Sequence, residues 1–375
     1  MPTTRGWLVA AVGALLLAAG VVSQYQEIAL LGGVAVTVVA VAVLLVGRPA
    51  EVRVRRSVPV IRTSPGASVR VVLDARNTGR RSVRITERVL ASGAERSVAL
   101  RPLAGRARAS AEYRITASRR GVVELGPLRA GRSDPLGLAS VRRGYGDADR
   151  LWVHPRWEYL RAVPIGRVAD PDGAADGAPA GTLTFHTLRD YVPGDDLRHV
   201  HWRSSARLDK LVMREYIDTS RTRVCVIVDD RATPGGEGRL DEVAGAAASI
   251  LATAVRASLH CELRLASGRA RESTGGLPPL LDLLAEARTD PGADLPAALT
   301  IARSRPAGDT AILVSGALDT ADLRAFARLS DRYAGLVAVV VGAEETPTAP
   351  ADVTLLTSGD AAGFADRWNG APWSR

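Results

Sequence analysis

Two uncharged apolar runs, Trp7–Val22 and Ile28–Val46, stand almost back to back near the start of the sequence. They span about 16 and about 19 residues, against the roughly 17–25 that a membrane-crossing helix needs. Backbone polar groups in lipid must be satisfied within the segment, which predicts a helix for each run. The polar stretch Ser23-Gln24-Tyr25-Gln26-Glu27 between them is long enough only to reverse direction. Arg5 precedes the first run, and Arg48, Arg53, Arg55 and Arg56 follow the second, while the turn carries only Glu27. The positive-inside rule then predicts a hairpin in the cell membrane over residues 1–48, with both chain ends cytoplasmic. A cleaved signal peptide with Arg5 as its charged region is the competing reading. The second run would hold the chain at the membrane even then.

Charge is uneven beyond the hairpin. The chain carries a net +9, yet Arg48–Arg150 alone has 23 arginines against 9 acidic residues, so the remainder is net acidic. A basic segment directly after membrane helices can meet anionic inner-leaflet headgroups, each arginine contributing about 1 kcal/mol. Nucleic acid is not implied, because the arginines are not interleaved with aromatics and no binding motif accompanies them. Cys225 and Cys261 lie in separate apolar runs and make no disulfide framework, as suits a reducing compartment.

Residues 49–165 read as an all-β sandwich. Ser68–Arg76 alternates apolar and polar residues and ends in the turn Asn77-Thr78-Gly79, and Ser82–Thr86 and Glu112–Thr116 repeat the alternation. Val168–Thr182 is rich in Ala, Gly, Asp and Pro without periodicity, and residues 166–182 are read as a flexible linker. Residues 183–220 form a distinctive segment described below. From 221 to 375 strands and helices alternate: strands at Val224–Val228, Cys261–Leu265, Ala311–Val314 and Leu336–Val341, helices at Leu240–Leu259, Leu277–Arg288, Leu295–Arg303 and Ala321–Arg332. Such alternation predicts a doubly wound α/β sheet with ligands beyond the carboxyl ends of its strands.

In the segment Leu188–Arg207, Pro193-Gly194 makes a turn and Asp195 can cap a helix starting at Asp196. Asp195, Arg198 and Trp202 then share one helical stripe. A tryptophan beside guanidiniums suits a clasp or a docking surface for protein. The segment resembles the signature of the bacterial family called domain of unknown function fifty-eight (DUF58), Arg-x-Tyr-x-x-Gly-Asp-x-x-Arg-x-Ile-x-Trp followed by Ser/Thr-Ala-Arg. Arg189, Tyr191, Gly194, Asp195, Arg198, Trp202, Ser205, Ala206 and Arg207 match, with Val200 in place of Ile and His201 where many members carry Asp. Ser118–Val122 and Ser133–Leu138 resemble further landmarks of the family.

The resemblance implies a C-terminal domain similar to von Willebrand A and a partnership with MoxR-type AAA+ ATPases. It also implies positions for a metal site of the Asp-x-Ser-x-Ser kind. Asp229 and Thr233 match it, Arg231 replaces the middle serine, Ala293 takes the place of a threonine, and Gly316 that of an aspartate after Ser315. A guanidinium there repels Mg²⁺ and pairs with Asp229, so neither metal nor cofactor is expected. Zinc at His199 and His201, with Asp195, Asp196 or His186, is disfavoured because histidines two apart on a helix diverge. No Gly-x-Ser-x-Gly elbow or phosphate-binding loop occurs. The expectation is a membrane-tethered, non-enzymatic adaptor acting through Arg189, Tyr191, Pro193, Gly194, Asp195, Arg198, Trp202, Ser205, Ala206 and Arg207. The alternative is a hydrolase using Asp195, Arg198 and His201.

Overall fold

A computed structural model describes residues 1–47, 51–91, 94–165, 183–190, 205, 207, 210–218, 223–342, 347–371 and 373. The chain forms two compact units, Met1–His154 and Pro155–Arg375.

The first unit opens with helices α1 (Thr4–Val22) and α2 (Gln26–Val46). Both are long and apolar enough to cross a membrane, and Leu8, Leu15, Leu30 and Leu44 stand exposed around them. A helix apolar on its outward surface is compatible with a lipid surround. Glycine lets the two approach. A Cβ on Gly32 would lie 2.3 Å from the Leu17 nitrogen, and one on Gly20 2.3 Å from the Ala29 nitrogen. This is the small-residue contact through which membrane helices associate.

Two sheets follow. Strands β1 (Val52–Ser57), β3 (Ser68–Asn77) and β6 (Arg108–Thr116) form one. The other is ordered β2 (Arg62–Thr63), β9 (Asp149–Val153), β7 (Gly121–Ser133), β4 (Arg84–Ala91), β5 (Ala94–Ala99), and β8 (Ser140–Tyr145) also pairs with β7. All pairs are antiparallel except β2–β9. Period-two alternation decides which side chains go inward: Val69, Val71, Leu73 and Ala75 of β3 are buried, while Arg70, Asp74 and Arg76 are exposed. Leu73 and Ala75 share a cluster with Ile85, Leu128 and Ala130 of the other sheet, and Val69 and Val71 share one with Leu125 and Leu151.

In the second unit, β10 (Leu183–Asp190) and β11 (Val212–Asp218) form an antiparallel ribbon. A six-stranded sheet is ordered β14 (Ala270–Glu272), β13 (His260–Leu265), β12 (Arg223–Val228), β15 (Gly308–Ser315), β16 (Tyr333–Val341), β17 (Thr354–Ser358). It is parallel apart from its antiparallel edge β14. Val224, Val226 and Val228 face helices α3 (Gly236–Arg256), α4 (Pro278–Glu286) and α7 (Ala361–Asn369). Cys225 and Ile227 face α5 (Leu295–Ser304) and α6 (Thr320–Ala327). Burial on both faces explains why β12 and β16 read as unbroken apolar runs.

One boundary differs from the sequence reading. Pro155–Ile165, assigned there to the β region, belongs to the second unit. The Glu158 and Leu160 amides donate to Ser249 Oγ (3.1 Å) and Thr253 Oγ1 (2.8 Å) on α3, and Trp368 Nε1 donates to Ala162 O (2.7 Å). This extended strap is held by side-chain acceptors and has no strand alternation to betray it.

Candidate functional site

The connections from β12 run to β13 on one side and later to β15 on the other. That reversal opens a crevice beyond the carboxyl ends of β12 and β15, where ligands of open α/β sheets bind. Asp229 is the first residue after β12 and is 3% exposed. Its amide continues the ladder by donating to Val314 O at 2.9 Å. Its carboxylate therefore points into the crevice without water to solvate it, and something must supply positive charge or donors.

Arg231 supplies both. Its Nε donates to Asp229 Oδ1 at 2.9 Å and its Nη2 to Asp229 Oδ2 at 2.8 Å, a bidentate pair. The same guanidinium reaches Asp322, with Nη2 to Oδ2 at 2.7 Å and Nη1 to Oδ1 at 3.3 Å. The Arg231 amide and Ser315 Oγ complete the Asp229 shell at 3.1 and 2.7 Å. Hydrogen bonding to Asp229 outweighs burial and, with Asp322, holds Arg231 above the ordinary arginine range. The group is a permanent cation set between two carboxylates.

A second arginine fills the neighbouring part of the crevice. Arg239 of α3 runs across Gly316 and Gly342, past the ends of β15 and β16, and its Nη1 donates to Val341 O at 3.2 Å. A Cβ on Gly316 would fall 2.4 Å from Arg239 Cγ, and one on Gly342 1.1 Å from its Nη1. Gly342 has φ +79°, so glycine is favoured there for its backbone as well.

The metal-site positions thus assemble around a guanidinium. Thr233 is half-buried across from Gly316, and Ala293 presents a methyl group where an oxygen ligand would be needed. These donors do not fit a divalent ion. Among the described residues no group of three or more His, Cys, Asp or Glu is arranged to hold a metal. Asp322 and Arg239 were not singled out in the sequence. Asp322 sits in the capping box Asp319–Asp322 that starts α6, a signal that marks a helix start and says nothing of a partner 91 positions away.

Arg189 and His186 lie on β10, Ser205 is buried and Arg207 is exposed. Tyr191, Pro193, Gly194, Asp195, Asp196, Arg198, His199, His201, Trp202 and Ala206 lie outside the described residues. Burial pushes the Cys225 and Cys261 thiols up to about 12, so neither is a thiolate nucleophile at neutral pH.

Comparison with known proteins matches residues 187–358 to the family described as "Protein of unknown function DUF58". The uncharacterized protein YeaD of Bacillus subtilis (strain 168) is 25% identical over 142 residues, covering 37% of this chain and 34% of YeaD. The chain's match thus spans about a third of that relative's length. Among solved structures, the CARDB domain of the Pyrococcus furiosus PF1109 protein aligns at 10% identity over 28% of this chain and 88% of that one, TM-score 0.20. The Pseudomonas fluorescens alkylpurine DNA glycosylase AlkC aligns at 14% identity over 38% and 43%, TM-score 0.21. Likenesses at such TM-scores carry no argument about fold or activity. The signature residues read from the sequence lie in the stretch that matches, and residues 187–358, across the β10–β11 ribbon and most of the α/β sheet, are similar to the DUF58 family.

Proposed function

We propose that this chain is a membrane-tethered, non-enzymatic adaptor. In this reading α1 and α2 cross the cell membrane with both chain ends cytoplasmic, the two sheets of the first unit form a sandwich, and the second unit is von Willebrand A-like. Its partner is a MoxR-type AAA+ ATPase, bound through the signature segment and the α/β sheet, and its basic first unit faces anionic lipid. The observation that carries the non-enzymatic part is the crevice itself. The place where an open α/β sheet takes its ligand is filled by the protein's own Arg231 and Arg239, bonded to Asp229, Asp322 and the Val341 carbonyl. A filled crevice leaves the surface, not the crevice, to do the work.

The test uses the full chain in detergent with a MoxR-type ATPase. Stoichiometric binding is expected, and Trp202→Ala is expected to weaken it by about 2 kcal/mol or more, as for an aromatic anchor, with the unfolding temperature unchanged. Absence of binding would overturn the adaptor. Turnover of a hydrolase substrate panel, abolished by Asp195→Asn, would move the reading to a hydrolase built on Asp195, Arg198 and His201.

A further inference from the structure

We infer that Arg84, Arg129 and Arg142 form a binding site for the phosphate of an anionic lipid headgroup, on the outward face of the β4–β7–β8 sheet where it meets the apolar hairpin. The inference rests on the reading of α1 and α2 as membrane helices. The strand register makes the site. Gly131 of β7 stands opposite Arg84 on β4 and opposite Arg142 on β8, and Arg129 lies two positions back along β7 on the same face. Neighbouring strands are about 4.8 Å apart, so Arg84 and Arg142 flank Gly131 with a backbone gap of roughly 10 Å between them. That span suits two guanidiniums closing on one phosphate from either side. Gly131 makes room for the Arg142 stem to lie across the floor: a Cβ there would fall 2.8 Å from Val141 O and 2.9 Å from Arg142 Cγ. Together these residues line an open cavity of about 280 Å³, with Thr86 and Ser140 at its edge.

The charge in this cavity is uncompensated. Its two carboxylates are engaged elsewhere: Glu95 pairs with Arg88 at 3.1 Å, and Glu87 is buried against Arg56 and Tyr113. Arg84, Arg129 and Arg142 are exposed and have no ion pair among the described residues. Arginine forks of this kind recognise phosphate bidentately.

The position of the cavity selects lipid as the source of the phosphate. Ser140, on its rim, exchanges backbone hydrogen bonds with Met1, at 2.9 and 3.1 Å, directly before α1. The adjoining Ala139 and Leu138 pack with Val39, Ala42 and Val46 of α2. Asp134 accepts from the Leu136 amide at 2.8 Å and ties the tip of the β7–β8 hairpin, which carries Leu136 outward at 66% exposure. A fixed apolar tip beside α2, with three free guanidiniums behind it, matches a boundary between acyl chains and phosphates.

The experiment uses the detergent-solubilised full chain titrated with short-chain phosphatidylglycerol, bound lipid being read by native mass spectrometry. One phosphatidylglycerol is expected to bind more tightly than phosphatidylcholine. Arg142→Gln should weaken it about fivefold, and Arg84→Gln/Arg129→Gln/Arg142→Gln about a hundredfold, from the surface-potential contribution of each arginine. Both variants should keep the wild-type unfolding temperature. Unchanged affinity in the triple variant overturns the site, and displacement by equimolar inorganic phosphate overturns lipid as its ligand. A separate Leu15→Cys variant in native membranes checks the hairpin, since the buried native thiols do not compete for a water-soluble maleimide. Shielding of Leu15→Cys together with loss-free lipid binding in the triple variant refutes the site alone. Ready labelling refutes the hairpin and, with it, the lipid assignment.

Discussion

Replacing Glu87 by alanine is expected to lower the stability of the first unit by about 3–5 kcal/mol, the loss typical of breaking a buried ion pair from one side. Glu87 is 0% exposed and sits between the two sheets. Arg56 Nε donates to its Oε1 and the Tyr113 hydroxyl to its Oε2, both at 2.6 Å. Arg56 also donates to Asp149 Oδ2 at 2.7 Å and to Asp147 O at 3.1 Å. Strands β1, β4, β6 and β9 are thereby joined at one point by charge. Alanine would leave a guanidinium with a single, solvent-exposed carboxylate and a phenol with no acceptor. Removing all three groups together, as Glu87→Leu/Arg56→Met/Tyr113→Phe, should cost far less, because no buried charge is then left alone. Burial, then the bond to Glu87, pushes the Tyr113 phenol well above the ordinary tyrosine value. A raised folded-state value means that its contribution is complete below the unfolded tyrosine range near pH 10 and fades as pH climbs past it. Thermal unfolding of the full chain across that range checks both statements. A loss under about 1 kcal/mol for Glu87→Ala would sink the idea that this cluster fixes the sheets.

What the sequence displays and what it hides divide along physical lines. Patterns that repeat within one element are legible. The apolar runs yield α1 and α2 to within a few residues, the alternation of Ser68–Arg76 yields β3, and Val224–Val228 yields the central parallel strand. The Arg231 pairing with Asp229 is legible too, because both residues belong to one short loop. Asp322 is not, since the contact that closes the cage joins two loops far apart in sequence, and only the fold makes them neighbours. Arg239 is hidden for a similar reason: its path over Gly316 and Gly342 depends on two strand ends brought beside the start of α3. Pro155–Ile165 has neither period and is held by hydroxyls on a helix yet to come, so it reads as more of the β region.

Arg231→Ser is expected to destabilise the second unit by about 2–4 kcal/mol, and divalent cations are expected not to repair it. The range lies slightly below that for a fully enclosed pair because the Arg231 side chain keeps 28% exposure. Without the guanidinium, Asp229 and Asp322 would face each other across a gap the size of the lost group, and the backbone amide of position 231 and Ser315 Oγ would remain as donors to Asp229. Two carboxylates with two hydroxyls, that of Ser315 and that of the introduced serine, invite a cation electrostatically. Octahedral Mg²⁺ needs further oxygen ligands, however, and Ala293 and Gly316 provide none from their side chains. Magnesium at about 10 mM should therefore return less than about 1 kcal/mol, which by mass action means a Kd no tighter than about 2 mM. Asp322→Asn is the instructive partner variant. It leaves the bidentate Asp229 pair intact and should cost no more than about 1–2 kcal/mol, the scale of one charge-assisted hydrogen bond. Thermal unfolding of the wild-type and variant chains with and without Mg²⁺, Mn²⁺ or Ca²⁺ reads all of these outcomes, alongside calorimetric titration of the wild type, which should show no specific heat. A one-to-one isotherm at micromolar metal in the wild type would mean that Arg231 swings out of the crevice and yields its place. Full rescue of Arg231→Ser by a divalent ion would mean that loop oxygens beyond these side chains complete a coordination shell.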